Sequence, residues 1–145
     1  MRRKVEGFGL IEVLVSMLIL GVGILGMIGL QLNALQYNQT AAFRSHATFL
    51  AYDIADRMRA NAPAALAGSY STDLTDGAPT GGGIVDTDLR EWKTAMASQL
   101  PAGNGSVSKN GDIYSITVQW DESKTGGEAT QQFVFTTRLC ERDCL

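Results

Sequence analysis

The residues with the clearest chemical potential in this 145-residue chain lie near its start. Glu12 stands at the head of an apolar run, four positions after Phe8 and five after Gly7, with Arg2, Arg3 and Lys4 ahead of them. A carboxylate so placed has two uses. It marks the headgroup level at which a membrane span begins, or it is an ionisable group held among apolar neighbours. The second use is functional by default, because an acid at the centre of a bilayer costs roughly 2.5–3.5 kcal/mol on insertion scales.

At the other end, Cys140 and Cys144 are separated by three residues. Outside the cytoplasm such a pair reads as a local disulfide clasp. Metal binding is the alternative, and with a single histidine in the chain, His46, it reaches at best half a zinc site. Nothing assembles an enzyme: Ser-His-Asp chemistry would have to use His46, on a helical stretch. Asp73, Asp76, Asp86, Asp88, Asp121 and Glu122 fall in turns and at caps, where acids are expected. The acidic loop lacks the dense alternation of a calcium-binding loop. We therefore expect no catalytic residues, no metal and no cofactor. Gly21-Val22-Gly23-Ile24-Leu25-Gly26 matches G-x-G-x-x-G, yet no strand pattern precedes it and no acid lies between Glu12 and Asp53. It is a decoy.

The elements that must position Glu12 emerge from the distribution of charge. A mean hydropathy of +0.01 conceals 31 consecutive residues, between Glu12 and Arg44, without Asp, Glu, Lys or Arg. The first 18 of them, Val13 to Leu30, hold one polar residue, Ser16, and are long enough to cross a bilayer. A cleavable secretory signal has a shorter apolar core and small residues before its cut, and neither is found here. The N-terminal cations keep that end in the cytoplasm and send the remainder out. From residue 31 onward nine cations face thirteen acids, so no nucleic-acid surface exists. A freely cytosolic enzyme and a disulfide-rich miniprotein are likewise excluded.

The segment Glu6-Gly7-Phe8-Gly9-Leu10-Ile11-Glu12-Val13-Leu14-Val15 closely resembles the class III signal of type IV pilins and type II secretion pseudopilins. The resemblance implies a cut by prepilin peptidase between Gly7 and Phe8, on the cytoplasmic side, and N-methylation of the new Phe8 amine, with the apolar stretch retained. It implies that Glu12 sets the register of subunits. Physically, four residues of helix span about 6 Å, and a carboxylate and an ammonium from adjacent subunits neutralise one another. Gly9 departs from the family, which often has Thr at that position. The glycines Gly21, Gly23, Gly26 and Gly29 lower helix propensity and let neighbouring helices approach.

Helical periodicity continues beyond Leu30, with Leu32, Leu35, Phe43, Ala47, Leu50, Ile54 and Met58 forming one apolar stripe. Asp53 and Arg57 make an i,i+4 pair, and Asn61 with Pro63 stops the helix. One helix from Phe8 to about Asn61 is expected. Residues 63–87 read as a surface loop. Asp88 and Glu91 look like a capping-box start for a short helix carrying Leu89, Trp92, Met96 and Leu100 and stopped by Pro101. Asn110-Gly111 signals a hairpin. Tyr114, Ile116, Val118 and Trp120 alternate along one strand, and Phe133, Phe135, Thr137 and Leu139 along the next.

The expected class is α+β in the pilin manner, a long helix on a three- to four-stranded antiparallel sheet. The expected parts are a leader (1–7), a transmembrane and assembly helix (8–30) and a periplasmic domain (31–145). The stretch from Ala51 to Asn61 is similar to the helix end of the minor pilins called type IV pilus modification proteins. That resemblance implies an inner-membrane, single-pass subunit that later joins a pilus and supports its assembly, twitching motility and adhesion. Its partners would be prepilin peptidase, other minor and major pilins, and the assembly platform. In pilins the C-terminal Cys pair often encloses a sizeable contact loop, whereas here it encloses Glu141-Arg142-Asp143 alone. A minor pseudopilin of type II secretion and an anchored binding domain that never polymerises are the rival readings.

Overall fold

The structure, a computed structural model, describes residues 9–139. Gly7, Phe8, Cys140 and Cys144, the expected cleavage and disulfide positions, lie outside the described residues. Two compact units divide the chain, one reaching Asn38 and one beginning at Gln39.

The first unit is the opening of helix α1 (Leu10–Ala60). It has apolar side chains on every face and no core. An 18-residue window reaches a mean hydropathy of 2.6 with none of it buried, as expected of a segment whose partner is lipid or another helix. The G-x-G-x-x-G run sits in mid-helix, with no strand before it.

The second unit contains the end of α1 followed by α2 (Ala62–Leu66), α3 (Ile84–Gln99), β1 (Asn104–Asn110), β2 (Ile113–Trp120) and β3 (Gln131–Arg138). The strands form one antiparallel sheet in the order β1-β2-β3. Among the described residues the sheet has three strands. On β2 the alternation holds: Tyr114, Ile116, Val118 and Trp120 are all buried. They meet two adjacent rows of α1, Leu50-Ile54-Met58 and Ala47-Ala51-Ala55, each stepping by four residues. The alanine row lets neighbouring elements approach closely, and Leu89, Trp92 and Met96 of α3 complete the core.

Four local expectations need correction. Leu32 and Leu35 are 57% and 60% exposed, and the buried stripe begins at the half-buried Phe43. Periodicity alone cannot distinguish an apolar residue with a core opposite from one without. Helix α3 starts at Ile84, four residues before Asp88, with Gly83 at its N-cap and no side-chain capping bond. Asp86, not Asp88, is the acid of its first turn. The supposed loop contains α2, with Pro63 in its first turn, and Thr72, which exchanges main-chain bonds with Val107 at 3.0 and 2.9 Å. The hairpin lies where Asn110-Gly111 indicates, but Asn110 pairs with Ile113. Its two-residue loop is therefore Gly111-Asp112, with Gly111 at φ +61°, the position at which a type II′ turn demands glycine.

Gly105 is where β1 meets α3. A Cβ there would come within 2.6 Å of Trp92 Cη2 and 2.7 Å of Met96 Sδ. Gly105→Ala should therefore overpack the core and cost about 1–3 kcal/mol in denaturant unfolding of the detergent-solubilised chain. Gly77→Ala, with nothing within 4 Å of the new methyl, should stay within about 0.5 kcal/mol of the parent.

Candidate functional site

Glu12 occupies the first turn of α1, where the unpaired amides of a helix N-terminus favour a negative charge. Its main-chain N–H and that of Val13 donate to the Gly9 carbonyl at 3.0 and 3.3 Å. One turn on, the Ser16 hydroxyl donates to the Glu12 carbonyl at 2.7 Å. The only polar side chain between Val13 and Leu30 thus satisfies itself within the helix, which is what a low-dielectric setting requires. Glu12, Val13, Ser16, Met17 and Leu20 line a shallow, mainly apolar depression on the helix surface. The carboxylate is the one charged group on an apolar stretch, without an ion-pair partner among the described residues.

The second cluster was only partly legible in sequence. At the end of α1, Arg57 Nε donates to Asp53 Oδ2 at 3.2 Å, the expected i,i+4 pair. The same guanidinium reaches α3, donating to Glu91 Oε2 at 2.7 Å and to Asp88 Oδ1 at 3.3 Å. Hydrogen bonding to Glu91 leads the effects that push the already high pKa of Arg57 further up, against the cost of burial. Asp88 and Glu91 therefore face α1 instead of capping α3. Asp88 Oδ2 also accepts from the buried Tyr70 hydroxyl at 2.6 Å, and Tyr70 Oη accepts from Asn61 Nδ2 at 3.2 Å. Nearby, Arg59 Nη2 donates to Thr137 Oγ1 of β3 at 3.0 Å. The Ala51–Asn61 stretch is thus the joint that fixes the helix to α3 and β3.

Two buried contacts had no sequence signal beyond residue type. Trp92 Nε1 donates to the Leu50 carbonyl of α1 at 2.8 Å. The Trp120 indole donates to Glu122 Oε1 at 2.8 Å, and Glu122 is 2% exposed although it reads as a turn acid. Lys93, also buried, donates to the carbonyls of Asp73 and Asp76 at 3.0 and 2.5 Å, and burial lowers its pKa. His46 is exposed on α1. Among the described residues no group of three or more His, Cys, Asp or Glu side chains is placed to hold a metal ion.

Residues 2–28 match the family model for the prokaryotic N-terminal methylation motif. No curated protein and no solved structure matches the chain. The match, with the long apolar helix joined to a three-stranded antiparallel sheet, supports a protein of the type IV pilin kind. The chain carries a prepilin-type motif, which supports processing by prepilin peptidase and attachment to a membrane through α1.

Burial, reinforced by the hydrogen bond to Asp88, raises the Tyr70 phenol from its ordinary 10 to about 12. A group whose folded-state pKa lies above the unfolded one stabilises fully below about pH 10, and that contribution is lost as pH rises through about 12. Tyrosinate absorbance should show a late step that Tyr70→Phe removes. Between those pH values the parent should lose about 2 kcal/mol more stability than the variant in urea unfolding.

Proposed function

We propose that this chain is a minor pilin, PilV-like, and that it helps to prime or modify a type IV pilus, supporting twitching motility and adhesion. Residues 1–7 are the leader, 8–30 the transmembrane and assembly helix, and 31–145 the periplasmic domain, on a single-pass inner-membrane topology. Prepilin peptidase cuts between Gly7 and Phe8, and the Phe8 amine is methylated. The observation that carries this reading is a coincidence. The methylation motif over residues 2–28 runs into a helix whose opening stretch, Leu10 to Leu30, exposes apolar side chains all round and holds one acid, Glu12, in its first turn.

In this reading, processing gives Phe8 a cationic amine, and Glu12 pairs with the amine of a neighbouring subunit. Neutralisation offsets the cost of removing both charges from water and sets the axial register of packed helices. The helix-end sequence Asp56-Arg57-Met58-Arg59-Ala60-Asn61 is the basis for choosing the pilus over a type II secretion pseudopilus. After secretion, Cys140 and Cys144 close a short ring, which contributes less than the roughly 3 kcal/mol expected of a 15-residue loop.

Mass spectrometry of the chain isolated from cells that carry prepilin peptidase should show loss of Met1 to Gly7 and one added methyl on Phe8. An intact N-terminus refutes the pilin reading. Gly7→Trp should block the cut. Glu12→Leu should leave membrane insertion intact and reduce incorporation into sheared filaments at least about tenfold, as expected if the pair is worth 1.4 kcal/mol or more. Undiminished incorporation removes the register role, and a processed chain that never enters filaments identifies the anchored binding domain.

A further inference from the structure

The two edges of the sheet are treated differently. Val107 exchanges both main-chain bonds with Thr72, so the outer edge of β1 is occupied. Side chains add to this cover, with Asn104 donating to the Leu74 carbonyl and Lys109 to the Leu66 carbonyl. Along the outer edge of β3 no described residue pairs.

The register identifies the groups left on that edge. Leu139 N–H donates to the Asp112 carbonyl at 3.2 Å, and β3 pairs with β2 in steps that place Thr137 opposite Tyr114 and Phe135 opposite Ile116. Bonding pairs alternate in an antiparallel ladder, so residues 131, 133, 135 and 137 bond inward. The main-chain N–H and C=O groups of Gln132, Val134, Thr136 and Arg138 therefore point outward. The strand is eight residues long, with no proline and one charge. Proteins usually protect such an edge. Beside it stand exposed aromatics: Tyr52, 46% exposed, lies 4.6 Å from the Phe135 ring between centroids, and Phe49, 65% exposed, is three positions earlier on α1.

We infer that the free edge of β3 binds an extended segment of a partner protein by strand addition. The partner segment carries acids at its ends and apolar residues at alternate positions. Charge selects the acids. Arg138 closes one end of the edge, and Arg44, whose side chain is 63% exposed with its Nε 3.8 Å from the buried Glu122 carboxylate, shares a depression with Gln131, Gln132 and Phe133 at the other. One exposed carboxylate nearby, Asp56, is bound to Arg59 at 2.6 Å. Packing selects the apolar residues: positions opposite Phe133, Phe135 and Thr137 fall on the helix side of the sheet, against Phe135, Tyr52 and Phe49. A second copy offers no complement, because its β3 carries a cation and no acid. The inference goes beyond the proposed function and stands whether or not the chain enters a filament.

The probe is the blocked heptapeptide Glu-Val-Thr-Val-Thr-Val-Glu, added to the full chain in detergent while amide exchange is followed residue by residue. In the free protein the amides of Gln132, Val134, Thr136 and Arg138 should exchange fast and those of Phe133 and Phe135 slowly. The peptide should slow the first set about tenfold or more. Peptide methylated on alternate amide nitrogens should slow none of them, and replacing its acids with lysines should weaken the effect. Val134→Pro removes an outward N–H and no ladder bond, so it should keep the circular dichroism of the parent and lose the response. Arg138→Glu should reverse the preference between acidic and lysine peptides. Four amides that stay fast at saturating peptide overturn the inference. So do amides already protected in the free protein, whether independently of concentration, by the chain itself, or with concentration, by a second copy.

Discussion

A helix with apolar side chains on every face has to be covered by something other than water. Between Leu10 and Leu30, α1 exposes fifteen large hydrophobic side chains. Each contributes roughly 1.5–3 kcal/mol when buried, which places the sum in the tens of kcal/mol. A whole domain is stable by only about 5–15 kcal/mol. No rearrangement of the second unit could offset so large an exposed surface, and the covering must come from lipid or from other helices. The polar details agree with that demand. Ser16 turns its hydroxyl onto its own helix, and the glycines at 21, 23, 26 and 29 meet no atom within 4 Å where a Cβ would stand. They leave a surface onto which another helix can close.

The same helix changes character at Phe43 because the residues opposite it change. From Ala47 to Met58 it presents two parallel rows, one small and one large, to α3 and the sheet. The hydrogen bond from Trp92 to the Leu50 carbonyl and the Arg57 fork to Asp53, Asp88 and Glu91 hold it there. These bonds are of different kinds. The indole bond is buried and satisfies the one polar atom of a large apolar side chain. The guanidinium is about one-third exposed, so screening by solvent reduces the net worth of its ion pairs. Orientation is their better-supported contribution: one planar donor group reads three carboxylates on two helices and fixes the angle at which α3 crosses α1.

Much of this was legible in residue patterns, and the failures share a cause. The long helix, the hairpin at Asn110-Gly111 and the inward face of β2 each follow from a local period or a local turn preference. The membrane-length run and Glu12 at its head are local as well. What periodicity could not give was the partner of each residue. Leu32 and Leu35 continue the stripe in sequence but have no core opposite them. Ala51 and Ala55 are fully buried, yet alanine is too unremarkable on a helix to be singled out. Asp88 and Glu91 have the spacing of a capping box, and the same spacing places two acids on one helix face, where Arg57 of α1 takes them. Glu122 reads as a turn acid because the indole that holds it is two residues away on a strand. Except at Glu122, whose partner is local, a contact distant in sequence, or its absence, decided the outcome.

Glu12 differs from all these groups in having no long-range contact to decide it. Its ordered neighbours are its own helical turn, and the dipole of that turn favours its charge by about 0.3–1 kcal/mol. The insertion cost of an acid is several times larger at the centre of a bilayer and falls towards the interface. The helix end alone therefore holds the carboxylate at the interface and does not carry it deeper. Drawing it into a dry helix bundle requires a second charge of opposite sign within a few ångströms, and the described part of this chain contains no such cation on that stretch. A cation supplied by a neighbour makes burial of the acid conditional on assembly. One misplaced by a helical turn, about 5.4 Å, would leave both charges unpaired. An acid alone on an apolar helix is thus a penalty in the monomer and a constraint on register in a bundle.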